Sequence, residues 1–159
     1  MTTGAMPAAP NWASGDPIMA SLQLIGLLTR QVEQRLSQAL GINSTDLSAI
    51  EHLITDGPLT AKDLADRLQV STAASTHIVD RLERAGHVTR QPHATDRRKV
   101  LVLLADTSKA RLLELLTPLL DGVGERVGKL SGAEREVIEH FLAGVVEIYT
   151  AAAEGTTSP

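Results

Sequence analysis

Cysteine is absent from the 159 residues, which rules out disulfide frameworks, thiolate metal sites and cysteine nucleophiles. Aromatic residues make up only 2%, one each of Trp, Tyr and Phe, so a core must be assembled from Leu, Ile, Val and Ala within the 43% apolar fraction. Long apolar runs are missing as well. The stretch Val100–Ala105 is far below the roughly 18 residues of a membrane span. The N-terminus shows no basic segment followed by an apolar one, so no secretory signal is apparent. These absences predict a soluble cytoplasmic protein with no membrane partner.

Catalytic signatures are missing too. His52, His77, His87, His93 and His140 fall on separate predicted elements, and none sits in an HExxH spacing. Glu139 and His140 are adjacent in sequence and therefore project from different faces of a helix. No GxSxG, GxGxxG or phosphate loop occurs. The expectation is a protein that is not an enzyme, with no catalytic residues, no cofactor and no metal.

What is present begins with charge. The whole chain carries −4, an argument against nucleic acid if taken alone. Between Arg84 and Lys99, however, five cations (Arg84, Arg90, Arg97, Arg98, Lys99) stand against the single anion Asp96. That window is +4, which leaves −8 for the remainder. A basic patch on an acidic body suits a groove-reading module on an acidic scaffold.

Along the chain, residues 1–15 are rich in Ala, Pro, Gly and Thr and include Trp12; the composition predicts a loosely ordered segment. Asp16-Pro17 reads as an N-cap followed by proline at the first helical position. The helix it opens has Ile18, Leu22, Ile25, Val32, Leu36 and Leu40 at helical spacing and ends at Gly41. A second helix starts at Ser44, is expected to bury Leu47, Ile50, Leu53 and Ile54, and stops at Asp56-Gly57-Pro58. Thr60 and Asp63 form an imperfect capping box for a short third helix, with Leu59 placed to staple onto Leu64. Ser71 caps a fourth helix whose buried side is Ala74, Ile78, Val79 and Leu82, with Gly86 as its C′ residue.

The period then changes. His87–Gln91 and Lys99–Leu104 are β-prone segments around a polar turn, which predicts a two-stranded hairpin. A long helical stretch follows from Asp106 to about Val127, and Pro118 inside it predicts a kink or bend. Ser131 and Glu134 cap a last helix carrying Val137, Ile138, Phe141, Leu142, Val145, Val146 and Tyr149. The tail from residue 154 to residue 159 reads as disordered.

Helix, almost no linker, helix and basic hairpin, in that order over Leu59–Leu104, is winged helix-turn-helix geometry. The second helix of such a unit enters the major groove with its N-terminal residues on base edges. Its positions outside the expected buried set include Thr72, Ala73, Ser75, Thr76, His77, Arg81 and Arg84. Small hydroxylated residues in a first turn allow close approach and donate to bases or phosphates. An arginine on the narrow protrusion Asp96-Arg97-Arg98-Lys99 suits the minor groove, where negative potential concentrates. The candidate DNA-binding set is therefore Thr72, Ala73, Ser75, Thr76, His77, Arg81, Arg84, Arg90, Arg97, Arg98 and Lys99.

The run from Val70 to Leu104 resembles the recognition helix and wing of the MarR (multiple antibiotic resistance regulator) family. The matching pieces are Val79-Asp80-Arg81-Leu82-Glu83, Gly86, Arg90, the Asp96-x-Arg98 pattern and the strand beginning at Val100. The flanking helices from Asp16 to Ala153 match in number, order and length. The resemblance implies an α+β, mostly α fold: a winged helix-turn-helix over residues 44–104, with flanking dimerisation helices over residues 16–43 and 105–153. It also implies a homodimer that represses transcription from a palindromic operator in double-stranded DNA. Many relatives release DNA when a small, often aromatic acid binds between the two regions. Three departures stand out. His77 replaces a residue that is often Arg, Ser75 takes a position that is usually apolar, and the lack of cysteine removes a thiol-oxidation switch.

The broad Leu/Val/Ile faces of the terminal helices support the dimer independently, because a winged domain of about fifty residues cannot cover them all. An effector pocket is expected where the regions meet, near Gly41–Thr45 and Ala105–Lys109, lined mainly by Leu, Ile and Ala. Arg30 and His52 are candidate anchors for a carboxylate. The competing reading is a winged-helix protein-interaction module that does not bind DNA; the clustered wing cations argue against it.

Overall fold

A computed structural model describes residues 15–96 and 98–155. The expectations for Trp12, for Arg97 and for nearly all of both terminal segments lie outside those residues. The element order is α1 (Pro17–Leu40), α2 (Ser44–Thr55), β1 (Leu59–Thr60), α3 (Ala61–Leu68), α4 (Thr72–Arg84), β2 (Val88–Pro92), β3 (Val100–Leu104), α5 (Asp106–Gly128) and α6 (Gly132–Ala153).

Local chemistry accounts for the helix ends. The Asp16 carboxylate accepts from the amides of Ile18 and Met19 at 2.7 and 3.2 Å, which satisfies donors that have no partner within the helix. Gly41 stops α1 in the left-handed region, at φ 68°. Asn43 caps α2 by accepting from the Asp46 amide at 2.8 Å. Both arms of the box at α3 are made: the Thr60 amide donates to Asp63 and the Asp63 amide to the Thr60 hydroxyl, each at 3.1 Å. Ser71 caps α4 through the Ala74 amide at 3.1 Å, and Ser131 caps α6 with Glu134 completing a second box.

The sheet has one strand more than the sequence predicted. Its order is β1-β3-β2, antiparallel throughout, with Leu59 opposite Val102 and Arg90 opposite Val102 from the other side. β1 spans only two residues, too few for a period-2 pattern to register. Leu59 is buried there as a strand residue opposite Val102. The wing strands lie within a residue of the predicted segments.

Two compact units emerge, one ending at Leu112 and one beginning at Leu113. The first holds the core. Leu47, Ala49, Ile50 and Leu53 of α2 are buried, with Leu64, Ala65, Ile78, Val79, Leu82, Val88 and Val102, and Leu36 and Leu112 from the flanking helices. Each fully buried Leu, Ile or Val contributes about 1.5–3 kcal/mol relative to exposure. Ile54 is an exception to the expectation. At 53% exposure, it stands four residues after the buried Ile50 but on the solvent edge of the stripe.

His87 ties the first unit together at its flanks. One ring nitrogen lies 2.8 Å from the Ser108 hydroxyl and the other 3.1 Å from the Leu40 carbonyl, so the start of α5 and the end of α1 both hang on the residue before β2. The second unit is different in kind. α5 continues as a helix through Pro118, and Arg135 donates to the Val127 carbonyl at 3.1 Å to close the turn into α6. None of the residues from Leu113 to Gly155 is buried, and Val137, Val146, Ile148 and Tyr149 are all more than 60% exposed.

Candidate nucleic-acid interface

α3 and α4 pack against each other with Gln69 and Val70 making the turn. Gln69 holds φ 54°, a left-handed conformation that lets α4 begin almost at once. The first turns of α4 then present Thr72, Ala73, Thr76 and His77 to solvent. The Thr76 hydroxyl donates to the Thr72 carbonyl at 2.9 Å and keeps its oxygen as an acceptor. Arg84, also exposed, donates through Nε to the Asp80 carbonyl at 3.1 Å.

Ser75 corrects the expectation. It is fully buried, and its hydroxyl donates to the Ala61 carbonyl at 2.7 Å, so it seats α4 on α3 and cannot face DNA. Its place in the buried stripe with Ile78, Val79 and Leu82 is what helical spacing gives position 75; only its polarity obscured this.

Two of the predicted cations are already engaged. Arg81 grips Asp46 of α2 with two hydrogen bonds, Nε to Oδ2 at 2.8 Å and Nη2 to Oδ1 at 2.6 Å. Arg90 on β2 pairs with both Asp80 and Glu83 of α4. Asp46, 1% exposed, escaped the sequence analysis, although its spacing to Ile50 and Leu53 puts it on the apolar face of α2. A charged residue at such a position is the signal that was available, because buried carboxylates require partners.

The wing turn is shaped by its own side chains. The Asp96 carboxylate accepts from the Arg98 amide at 3.1 Å, and His93 Nδ1 accepts from the Asp96 amide at 3.3 Å. The Lys99 amide donates to the Asp96 carbonyl at 2.9 Å. These bonds give the Asp96-x-Arg98 pattern a physical role: the aspartate closes the turn that carries the arginine. Arg98 and Lys99 are exposed, and among the described residues Arg84, Arg98 and Lys99 form no ion pair.

Comparison with known proteins gives the fold its family. Residues 42–100 match the MarR family model. Over 124 residues the chain is 34% identical to the HTH-type transcriptional regulator YcgE of Bacillus subtilis, covering 78% of this chain and 80% of the relative. The chain belongs to the MarR family. It is accordingly a winged helix-turn-helix transcriptional regulator rather than an enzyme. A MarR-like transcriptional regulator of Thermotoga maritima has the same fold, with a TM-score of 0.62 and 24% identity over 85% of this chain and 97% of that one. The MepR protein of Staphylococcus aureus, solved in complex with DNA, also shares it, with a TM-score of 0.52 and 18% identity over 84% and 98% of the two chains.

This MarR-family chain has a cleft of about 390 Å³ between α1 and α2. Arg30 lines it, with Glu33, Gln34, Ser44, Ser48 and Glu51, and Ile42 and Leu47 supply its apolar part. Most of its lining side chains are polar by type, and of the two segments expected to frame an effector pocket it includes Ile42 and Ser44 but nothing from Ala105–Lys109. Burial and the nearby Glu33 carboxylate push the Glu51 pKa above its ordinary value, opposed by His52. His52 is not among the lining residues; its Nδ1 lies 3.5 Å from Asp56, which Arg67 also holds, at 2.6 Å. Among the described residues no helix is long and apolar enough to cross a membrane, and no cluster of three metal-ligating side chains occurs.

Proposed function

We propose that the chain acts in the cytoplasm as a homodimer that binds a palindromic operator and represses transcription by occupying it. In this reading α4 enters the major groove and contacts bases with Thr72, Ala73, Thr76 and His77, while Arg98 and Lys99 track the flanking minor groove and phosphates. The observation that carries it is the juxtaposition of an open, small-residue first turn of α4 with the exposed wing cations Arg98 and Lys99, which form no ion pair among the described residues. An interaction module would have no use for that arrangement, whereas exposed lysine and arginine beside a groove-reading helix supply counterion release.

Dimerisation is supported by uncovered apolar surface. On α1, Ile18, Leu24 and Ile25 are between 55 and 60% exposed, and none of the described residues of the second unit is buried. Broad exposed apolar helix faces of this kind mark an interface, and pairing two chains places two copies of α4 on one DNA face. A small effector held in the α1–α2 cleft would bias the spacing of the two reading heads. A few kcal/mol of preference for the incompetent spacing suffices.

Selection of bound duplexes from a random pool, followed by footprinting and sedimentation, tests the reading. The expected result is a dimer on an inverted repeat with half-site centres about 34–36 Å apart. Protection of one asymmetric half-site by a monomer would overturn it. Titration of small acids and amines into the complex tests release.

A further inference from the structure

We propose that Arg81 is a positioning residue of α4 rather than a contact to DNA. Its pair with the buried Asp46 fixes how the recognition helix is presented and so sets sequence selectivity rather than charge-driven affinity. The proposal rests on the reading that α4 lies on DNA.

The geometry is that of a clamp. Both oxygens of Asp46 are taken by one guanidinium, at 2.8 and 2.6 Å, across 35 residues of chain. The carboxylate side chain is 2% exposed and the arginine side chain 46%. A carboxylate removed from water is tolerated when it is paired. Sliding or rotating α4 against α2 would strand that charge, so the pair resists both motions. A planar fork holds two bonds in fixed directions, which a lysine ammonium cannot do.

Position turns the clamp into a reading device. Arg81 follows His77 by four residues and so lies one turn behind it on the same face of α4. Hydrogen bonds to base edges demand close alignment, so a small tilt of α4 weakens the preferred sequence far more than nonspecific phosphate contacts. The charge of Arg81 is also neutralised locally, so it displaces few counterions from DNA. A second tie acts on the same helix. Arg90 of β2 bonds Asp80 and Glu83, flanking Arg81 in sequence, and holds α4 to the wing strand as Asp46 holds it to α2.

The test compares Arg81→Lys, Arg81→Ala, Asp46→Asn and the double variant Asp46→Asn/Arg81→Gln with the wild-type chain. Affinity is measured on a selected duplex and on random duplexes across a salt series, and folding is checked by circular dichroism. The expected result is a loss of about tenfold or more on the selected duplex for each single variant, well inside the usual gap between specific and nonspecific binding. Random-duplex affinity and the salt slope should stay at wild-type values, and the double variant should be no worse than Asp46→Asn alone. Arg81→Lys keeps the charge and loses only the fork, so it carries the test if Asp46→Asn does not fold. The proposal is overturned if Arg81→Ala weakens all duplexes equally and lowers the salt slope by about 1 per protomer while Arg81→Lys and Asp46→Asn behave as wild type. Absence of salt-dependent DNA binding by the wild-type chain would instead sink the DNA reading and the proposal with it; normal wild-type binding together with Arg81 and Asp46 variants that keep wild-type selectivity sinks the clamp alone.

Discussion

The fully buried Ser75 donates its hydroxyl proton to the carbonyl of the half-buried Ala61 at 2.7 Å, joining the first turn of α4 to the first residue of α3. Ser75→Ala removes this bond and leaves the carbonyl without that partner. Thermal or chemical unfolding should show a loss of about 1–2 kcal/mol, the range for a buried hydrogen bond. DNA affinity of the folded variant should stay the same. A loss of affinity in a variant that remains fully folded would place Ser75 at the DNA after all.

The wing predicts a different signature. Arg98 is exposed on a turn closed by Asp96, so Arg98→Ala should leave stability intact and weaken binding to every sequence. The logarithmic salt slope should fall by about 1 per protomer. Equal slopes for wild type and variant, measured by anisotropy between low and moderate salt, would remove the wing from the interface.

His77 is exposed one turn into α4 and forms no hydrogen bond or ion pair among the described residues. His77→Ala should therefore change base preference at one position of each half-site and cost about 1–3 kcal/mol on the preferred sequence. Selection from a random pool with the variant reads this directly. An unaltered sequence preference would assign the reading to Thr72 and Thr76 alone.

Gly86 takes φ 78°, and a Cβ built there meets nothing within 4 Å. The cost of a side chain is consequently backbone strain without a clash. Gly86→Ala should lower stability by about 1–2 kcal/mol, and Gly86→Val by more, because branching stiffens the residue further. A melting temperature unchanged by either substitution would contradict the left-handed assignment.

Glu51 gives a pH-dependent test in the α1–α2 cleft. Glu51 is exposed as a residue, but desolvation of its carboxyl against the cleft first and Glu33 second raise its folded pKa above an unfolded value of about 4.3. The folded chain therefore binds the proton more tightly, and ionisation at neutral pH costs stability. Glu51→Gln should raise the melting temperature at pH 7, and the gain should shrink as pH falls and disappear below about pH 4, where both states are protonated. A gain that persists at low pH would mean that something other than the charge is responsible.

How much of this was legible beforehand differs by element. Asp16-Pro17, Thr60 with Asp63, Ser71, Gly86 and Ser131 with Glu134 each mark a helix boundary with chemistry contained in a few consecutive residues, and all five appear where expected. β1 was invisible because two residues have no period, and only pairing with β3 makes them a strand. The candidate interface divides in the same way. That Thr72, Thr76 and His77 face solvent was legible from helical spacing, whereas the partners of Arg81 and Arg90 were not.

Capping residues, apolar periodicity and the basic hairpin belong to the chain as a linear object, since each acts within about one turn or one strand. They suffice for the order of the helices and the two wing strands and for the winged helix-turn-helix, while the family came from the resemblance carried by residues 70–104. The tertiary structure alone decided which polar groups are spent inside the protein. Asp46 meets Arg81 across 35 positions, Ser75 meets Ala61 across 14, and His87 meets Leu40 across 47. A cation on a helix surface has the same sequence signature whether it faces a phosphate or a carboxylate. Folding settles the matter, because a carboxylate taken from water must find a partner before the chain can close around it.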